Sequence, residues 1–256
     1  AEESSLITLS NCVINENAIV GESAAGAGIF SVGTTLDVND CDISDNTVTS
    51  EQPTGEMTPT AITFTNCWQT GRHGPSQSDC NSEYSGTALE GQVNLSDGIQ
   101  EWTVPYDGTY TIEVWGAQGG YAEYNGGNGG NGSRMSGDFI LEAGQIIQIL
   151  VGQKGGDYSY NSAGGGGTFV VGSDNSPIII AGGGGGATYY NGGYDAEISE
   201  CASYTCNSGA GQCNGSGGIA TCGNNAGPGG GFYGDGDYVN NTGGYSFLNG
   251  GAGGWN

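Results

Sequence analysis

The distribution of glycine constrains the fold of this chain more than any other feature. Of its 54 glycines, 42 fall between residues 119 and 254, in runs such as Gly164–Gly167 and Gly182–Gly186. Glycine at this density is typical of flexible linkers. Here the runs alternate with apolar segments that have the length and composition of buried strands, among them Ile146–Val151 and Ile178–Ala181. We therefore predict that the glycines belong to a folded domain.

Cations are scarce in the chain. The chain has three Lys and Arg residues and 27 Asp and Glu residues, which gives a formal net charge of −24. Nucleic acid and anionic membranes are excluded as partners, because phosphate recognition needs clustered cations. No apolar segment has the length needed to cross a bilayer, so membrane insertion is not expected.

Eight cysteines and four N-glycosylation sequons indicate an oxidising compartment. An even cysteine count without a Cys-x-x-Cys pair favours disulfides over zinc, and the pairing stays open. We predict a glycoprotein that is secreted or displayed at the cell surface. The disulfide candidates are Cys12, Cys41, Cys67, Cys80, Cys201, Cys206, Cys213 and Cys222, and the sequons begin at Asn94, Asn131, Asn214 and Asn240.

Residues 1–86 contain an internal repeat. Leu9–Asn17 aligns with Val38–Asn46 at a spacing of 29 residues, and a third copy, Ile62–Cys67, follows. A period in the twenties with a strand in each copy is typical of a solenoid. The segment resembles coils of the right-handed parallel β-helix found in pectate-lyase-like enzymes and bacterial adhesins. A small β-sandwich with coincidental repeats is the alternative.

Residues 87–256 follow a different pattern, of short strands separated by glycine. Tyr110–Trp115 alternates in polarity and follows a turn at Asp107-Gly108, as expected of a strand entered from a tight turn. The further predicted strands are Asp138–Leu141, Gln145–Val151, Thr168–Val171 and Pro177–Ala181.

Three motifs in this second region occur in a recognisable order. They are Val114-Trp-Gly-Ala-Gln-Gly-Gly120, Gly164-Gly-Gly-Gly-Thr-Phe-Val170 and Ile179-Ile-Ala followed by five glycines and Ala187. The region resembles the glycine-rich domain of the anaplastic lymphoma kinase and leukocyte tyrosine kinase receptors, which also occurs in secreted protist and microbial proteins. The resemblance implies an all-β fold, in which a β-sandwich carries a bundle of polyproline-II glycine helices.

Some features agree with that resemblance and others depart from it. Asn125–Asn131 repeats with period three, as polyproline II does. No kinase or transmembrane segment is found, so the resemblance implies no signalling role. The sequence stops at Trp255-Asn256, where related domains usually continue. We expect either a truncated domain or one that a neighbouring molecule completes.

Residues that could carry chemistry are few. His73 is the single histidine and lies beside Arg72 in a turn-like segment, where a surface loop is the expected structure. Polysaccharide lyases on a β-helix usually abstract a proton with Lys or Arg. Because residues 1–86 hold one Arg and no Lys, a lyase-like enzyme is only a remote alternative.

Two other residue types are candidates for binding. No cofactor is expected. Asp235 and Asp237 are weak candidates to ligate Ca²⁺, although a solvated acidic surface is favoured. The same holds for Asp37, Asp40, Asp42 and Asp45. Tyrosines could stack on a sugar, although packing over glycine surfaces is the commoner arrangement and is favoured; the candidates are Tyr158, Tyr160, Tyr189 and Tyr190.

The leading functional hypothesis is a non-enzymatic, structural or adhesive protein. Most concretely, the chain would be a protomer of a surface filament, hair or matrix fibre that self-associates through open strand edges. The alternative is a monomeric receptor- or adhesin-type module that binds an extracellular protein or glycan.

Overall fold

The chain has an all-β fold with very little helix. The computed structural model describes residues 61–124, 127–199, 201, 213–217, 229–236 and 244–253, together with the backbone of six strands between Leu6 and Ser50. Helical structure in these residues is limited to α1 (Gln77–Glu83) and a 3₁₀ turn (Phe247–Asn249). The chain divides into two compact units, Ala1–Ala61 and Ile62–Asn256.

The strands of the first unit pair in parallel. Leu6 lies opposite Thr35, and Ile14 lies opposite Ile43, so each strand pairs with the one 29 residues further along the sequence repeat. The repeat is therefore expressed as strand register, while its closure into a β-helix stays a prediction. The strands are β1 (Leu6–Ser10), β2 (Val13–Asn15), β3 (Ala18–Gly21), β4 (Thr35–Asn39), β5 (Asp42–Ser44) and β6 (Thr47–Ser50), paired β1–β4, β2–β5 and β3–β6.

The third copy of the repeat does not extend this pairing. Residues 61–66 form no strand, which corrects the expectation that Ile62–Cys67 is a third coil. Phe64 packs instead against Tyr84 and Trp102, with ring centroids 6.3 and 6.0 Å apart. Residues 62–86 thus pack with the sheets of the second unit, although the sequence predicted a domain boundary at residue 86.

The described residues of the second unit form two antiparallel sheets. Their strands are β7 (Val93–Ser96), β8 (Ile99–Thr103), β9 (Gly108–Trp115), β10 (Arg134–Leu141), β11 (Ile146–Leu150), β12 (Thr168–Gly172) and β13 (Pro177–Ala181). One sheet has five strands in the order β13-β12-β11-β8-β7, and the other pairs β9 with β10. Val114 of β9 and Leu141 of β10 belong to one buried cluster with Ile147, Ile149 and Ile179 of the larger sheet, so the sheets share a core.

The five strands predicted in this region are present, with ends that differ by a few residues. Burial is complete along β12, whereas β11 and β13 alternate between buried and more exposed positions. The positions between the buried ones are partly covered, since Leu150 of β11 and Ile180 of β13 pack against a second buried cluster that includes Phe169 and Val171. Strands β7 and β8 were not predicted.

The glycine segments approach one another backbone to backbone. The Gly119 amide donates to the Gly130 carbonyl at 2.9 Å, and the Gly130 amide donates to the Gly185 carbonyl at 2.8 Å. A Cβ atom on Gly119 would lie 2.0 Å from the Gly185 oxygen, well inside van der Waals contact. Such close approach requires glycine. The polyproline-II conformation of these segments stays a prediction.

Candidate functional site

A cluster of tyrosines lies at the surface of the glycine-rich region. The rings of Tyr124, Tyr160 and Tyr189 are mutual neighbours, with centroids 5.4 Å (Tyr124–Tyr160), 5.1 Å (Tyr124–Tyr189) and 5.7 Å (Tyr160–Tyr189) apart. The angles between their planes are only 18°, 33° and 25°. Tyr190 meets Tyr189 edge-on at 4.6 Å. We call these four residues the tyrosine surface.

The tyrosine surface stays open to solvent despite these ring contacts. Tyr124, Tyr160 and Tyr190 are 63%, 56% and 80% exposed. Rings that pack over a protein surface to cover it would lose most of their accessible area. Tyrosine is enriched in binding interfaces, since its ring supplies apolar contact and its hydroxyl supplies a hydrogen bond. Contiguous exposed aromatic area of this kind marks a candidate binding surface.

Backbone hydrogen bonds position the loop that carries Tyr124 beside the loop that carries Tyr160. The Glu123 amide donates to the Tyr158 carbonyl, and the Tyr124 amide donates to the Ser159 carbonyl, both at 3.0 Å. These two bonds hold the two loops side by side, so the two rings are neighbours.

A tight turn carries the other two rings. The Thr188 amide donates to the Asn191 carbonyl at 2.8 Å, which closes the turn around Tyr189 and Tyr190. At the base of the turn, the Ala187 amide donates to the Gly120 carbonyl at 3.1 Å. The turn is thereby attached to the same glycine scaffold as the two loops.

Ser162 fastens these segments together from below. Its side chain is completely buried, its hydroxyl donates to the Tyr121 carbonyl at 2.6 Å, and its Oγ accepts from the Tyr158 amide at 3.1 Å. Its backbone amide donates to the Ala187 carbonyl at 2.8 Å. One buried serine therefore connects all three segments of the tyrosine surface, which favours a preorganised arrangement.

Asp157 lies beside the cluster and is already partnered. Its Oδ1 accepts hydrogen bonds from Lys154 Nζ and from the Tyr121 amide, each at 2.8 Å. The lysine contact is the larger cause and the amide the second, and together they hold the pKa of Asp157 below its ordinary value. The Asp157 carboxylate is therefore charged at neutral pH and holds the Tyr121 loop through this hydrogen bond.

The three cations of the chain all contact groups of the chain itself. Lys154 pairs with Asp157, and Arg134 pairs with Glu113. The Arg72 guanidinium lies 5.0 Å above the centre of the Tyr245 ring. Because the chain has 27 acidic residues and three cations, its surface offers an external ligand an excess of negative charge.

The structure places Arg72 and His73 where they serve packing. The Gly253 amide donates to the Arg72 carbonyl at 2.7 Å, and Gln153 Nε2 donates to the His73 carbonyl at 3.0 Å. His73 is exposed, as expected for a surface loop. The bonds attach this loop to residues 245–253 and to Gln153, and they orient no base toward a substrate.

Asp235 is a backbone-binding residue in this structure. Its Oδ1 accepts from the Ser246 amide at 2.7 Å and from Asn249 Nδ2 at 2.9 Å, and these bonds lower its pKa. Within the described residues, no group of three or more His, Cys, Asp and Glu side chains could hold a metal ion. Asp37 lies in β4 and Asp42 in β5, whereas Asp40, Asp45 and Asp237 fall outside the described residues.

Two disulfides are present in the described part of the chain. They join Cys67 to Cys80 and Cys201 to Cys213. Among the sequons, Asn94, Asn131 and Asn214 are exposed, and their glycosylation stays a prediction. The remaining candidates, Cys12, Cys41, Cys206, Cys222 and Asn240, lie outside the described residues.

Sequence reasoning missed two aromatic residues. It named Tyr160, Tyr189 and Tyr190 but not Tyr124, whose position is fixed by its pairing with residues far along the chain. It also missed Trp68, which is 83% exposed and has a φ of 61°. The Trp68 indole donates to a Glu83 carboxylate oxygen. No local signal in the sequence identifies either residue.

Comparison with known proteins relates part of the chain to a receptor. No protein-family model matches the chain. The chain is 37% identical over 97 residues to the leukocyte tyrosine kinase receptor of Mus musculus, a stretch that covers 37% of the chain and only 11% of the receptor. The chain therefore contains a domain related to a small part of that receptor. Among the described residues, no helix is both long and apolar enough to cross a membrane.

Proposed function

We propose that this chain is an extracellular, non-enzymatic binding module and that the tyrosine surface contacts its ligand. The observation that carries the proposal is the open cluster of Tyr124, Tyr160 and Tyr190, each more than half exposed. The cluster is fixed to a hydrogen-bonded scaffold, so little conformational entropy is lost on binding.

Two further observations support an extracellular location. The Cys67–Cys80 and Cys201–Cys213 disulfides fit an oxidising compartment. The relative that the chain resembles is named as a receptor, and the matched stretch is a small part of that protein. A module that binds a ligand outside the cell is consistent with both facts, and neither fact calls for catalysis.

The structure supports filament assembly, the function that the sequence favoured, less than it supports a binding module. The premise of filament assembly was an open strand edge, and one outer edge of the larger sheet is β7. Here the Gln77 side chain occupies the outward-facing groups: its Nε2 donates to the Val93 carbonyl, and its Oε1 accepts from the Leu95 amide, both at 2.9 Å. A polymer that grows by strand pairing would need a strand edge other than β7. A lyase-like activity likewise finds no support in the placement of Arg72 and His73.

An array experiment tests the binding proposal. The labelled protein would be applied to immobilised extracellular proteins and glycans, beside a variant carrying Tyr124→Ala, Tyr160→Ala and Tyr190→Ala. Tyr106→Ala is the matched control, because Tyr106 is 52% exposed and lies outside the cluster.

We expect ligands bound by the wild type to be lost by the triple variant and retained by the control. Near-ultraviolet circular dichroism would establish that the variants are folded. Equal binding by the wild type and the triple variant, or no bound ligand in either class, would reject the proposal.

A further inference from the structure

We propose that the tyrosine surface is a stacking platform for a neutral saccharide. The inference rests on the proposed function and narrows its ligand to one chemical class. Three independent features of the described residues lead to it: the orientation of the rings, the charge of the chain, and the polar groups that flank the rings.

The orientation of the rings suits a flat ligand. Tyr124, Tyr160 and Tyr189 are inclined to one another by no more than 33°. Because their centroids are 5.1 to 5.7 Å apart, the rings lie in offset stacks that overlap in part. The C–H face of a pyranose ring can stack on the area of Tyr124 and Tyr160 that stays open, through dispersion and weak C–H contacts. A cation cage requires rings that face the ligand from several sides. Only Tyr190 stands steeply here, at 83° to Tyr189.

The charge of the chain removes anionic saccharides from consideration. The formal net charge is −24, and Lys154, Arg134 and Arg72 all contact groups of the chain itself. Sulfated glycans and polyuronates need cations at their binding sites, as nucleic acids do. Neutral saccharides carry no such requirement, because they are held by stacking and by hydrogen bonds to their hydroxyl groups.

Polar groups for those hydroxyls flank the rings. Asn191 is exposed in the turn that carries Tyr189 and Tyr190. Glu123 is exposed next to Tyr124, and one of its carboxylate oxygens accepts from Ser159 Oγ at 3.3 Å. An amide offers donors and an acceptor, and a carboxylate offers acceptors, which is the mixture that a polyhydroxylated ligand uses.

Saturation-transfer NMR and calorimetry with defined oligosaccharides test the inference. The probes are cellohexaose, laminarihexaose, mannohexaose and chitohexaose, with polygalacturonate as the anionic comparison and hexa-arginine as the cationic one. The variants are Tyr124→Ala, Tyr124→Phe, which keeps the stacking ring, and Tyr106→Ala as the control outside the cluster.

We expect at least one neutral hexasaccharide to bind with little dependence on salt. Tyr124→Ala should weaken that binding by about tenfold, the scale on which loss of one stacked ring is felt. Tyr124→Phe should restore most of the affinity, and Tyr106→Ala should leave it unchanged.

Several outcomes would overturn the inference. Failure of every neutral hexasaccharide to bind at about 10 mM, tenfold above a millimolar Kd, would reject it. So would binding that Tyr124→Ala leaves intact, or binding of hexa-arginine alone. If a protein ligand from the arrays depends on Tyr124 while every saccharide fails, the saccharide inference falls and the binding module stands. If no ligand of either class depends on the cluster, both fall.

Discussion

The phenol of Tyr84 donates a 2.5 Å hydrogen bond to the carboxamide oxygen of Gln100, a side chain that is completely buried. Gln100 Nε2 in turn donates to the Thr65 carbonyl at 2.8 Å, and the Thr65 amide donates to the Tyr84 oxygen at 3.0 Å. Burial is the main cause that raises the pKa of Tyr84, so its phenol stays neutral and available as a donor. This closed circuit of hydrogen bonds connects β8 to the segment before α1, which forms no strand.

The first prediction concerns the hydrogen bonds among Tyr84, Gln100 and Thr65. Tyr84→Phe should lower the free energy of unfolding by about 1–3 kcal/mol, because Gln100 Oε1 and the Thr65 amide lose a buried partner. Urea unfolding of both proteins measures the difference. Tyr106→Phe, at an exposed position, should change it by less than about 0.5 kcal/mol. Equal stability of Tyr84→Phe and the wild type would show that these hydrogen bonds contribute nothing to the free energy of unfolding.

The second prediction separates two glycines of one run. A Cβ on Gly184 would lie 2.0 Å from the Gly130 oxygen, whereas a Cβ on Gly182 would find its nearest atoms at 3.7 and 3.8 Å. Gly184→Ala should therefore destabilise the protein by about 3 kcal/mol through forced backbone movement. Gly182→Ala should be neutral or stabilise it by about 0.5 kcal/mol, since it restricts the unfolded chain.

Thermal and urea unfolding of these two variants measure the contrast. The comparison isolates close backbone approach from glycine composition, because both substitutions make the same chemical change in the same run. Similar stabilities for the two variants would mean that the glycine segments are packed more loosely than the hydrogen bonds between them indicate.

Local patterns in the sequence were enough to predict part of this fold. Apolar runs and turn residues identified β9–β13, and the spacing of 29 residues anticipated the parallel register of the first unit. Strands β7 and β8 escaped because they mix polar and apolar residues, including the buried Gln100. Helix α1 has a capping box formed by Ser76 and Asp79, but only seven residues and no apolar periodicity.

The candidate site could be predicted only in part. The tyrosine pair at 189–190 stands out in the sequence, but Tyr124 and Tyr160 reach it through backbone pairing between distant segments. Likewise, the third repeat copy matches the first two in sequence but forms no strand. Its Phe64 packs against the hydrophobic core of the second unit instead. Long-range packing decided these cases, and a local pattern carries no information on it.

The third prediction concerns the β7 edge. Gln77→Ala removes both bonds to Val93 and Leu95, so the Leu95 amide should lose protection against hydrogen exchange by about tenfold or more. The opened edge should also promote self-association, most visibly at high salt, where repulsion between copies of charge −24 is screened. Exchange NMR and sedimentation measure the two effects.

Ser82→Ala is the matched control for that variant, since Ser82 lies on the same helix and bonds only within it, to the Ser78 carbonyl. It should leave both Leu95 exchange and the oligomeric state unchanged. Unaltered Leu95 protection in Gln77→Ala would show that the side chain does not occupy the edge in solution.

The last prediction follows from the carboxylate of Asp235. Its pKa lies below the ordinary 3.8, first because the Ser246 amide donates to it and second because Asn249 does. Its stabilisation of residues 244–253 should be complete above pH 3.8 and disappear as the pH falls through the lower folded pKa. Carboxyl titration by NMR, with the Ser246 amide shift as reporter, measures this value. Asp235→Asn keeps an acceptor oxygen but cannot titrate, so its Ser246 shift should lose this transition. A wild-type carboxyl that titrates at or above 3.8 would contradict the proposed bonds.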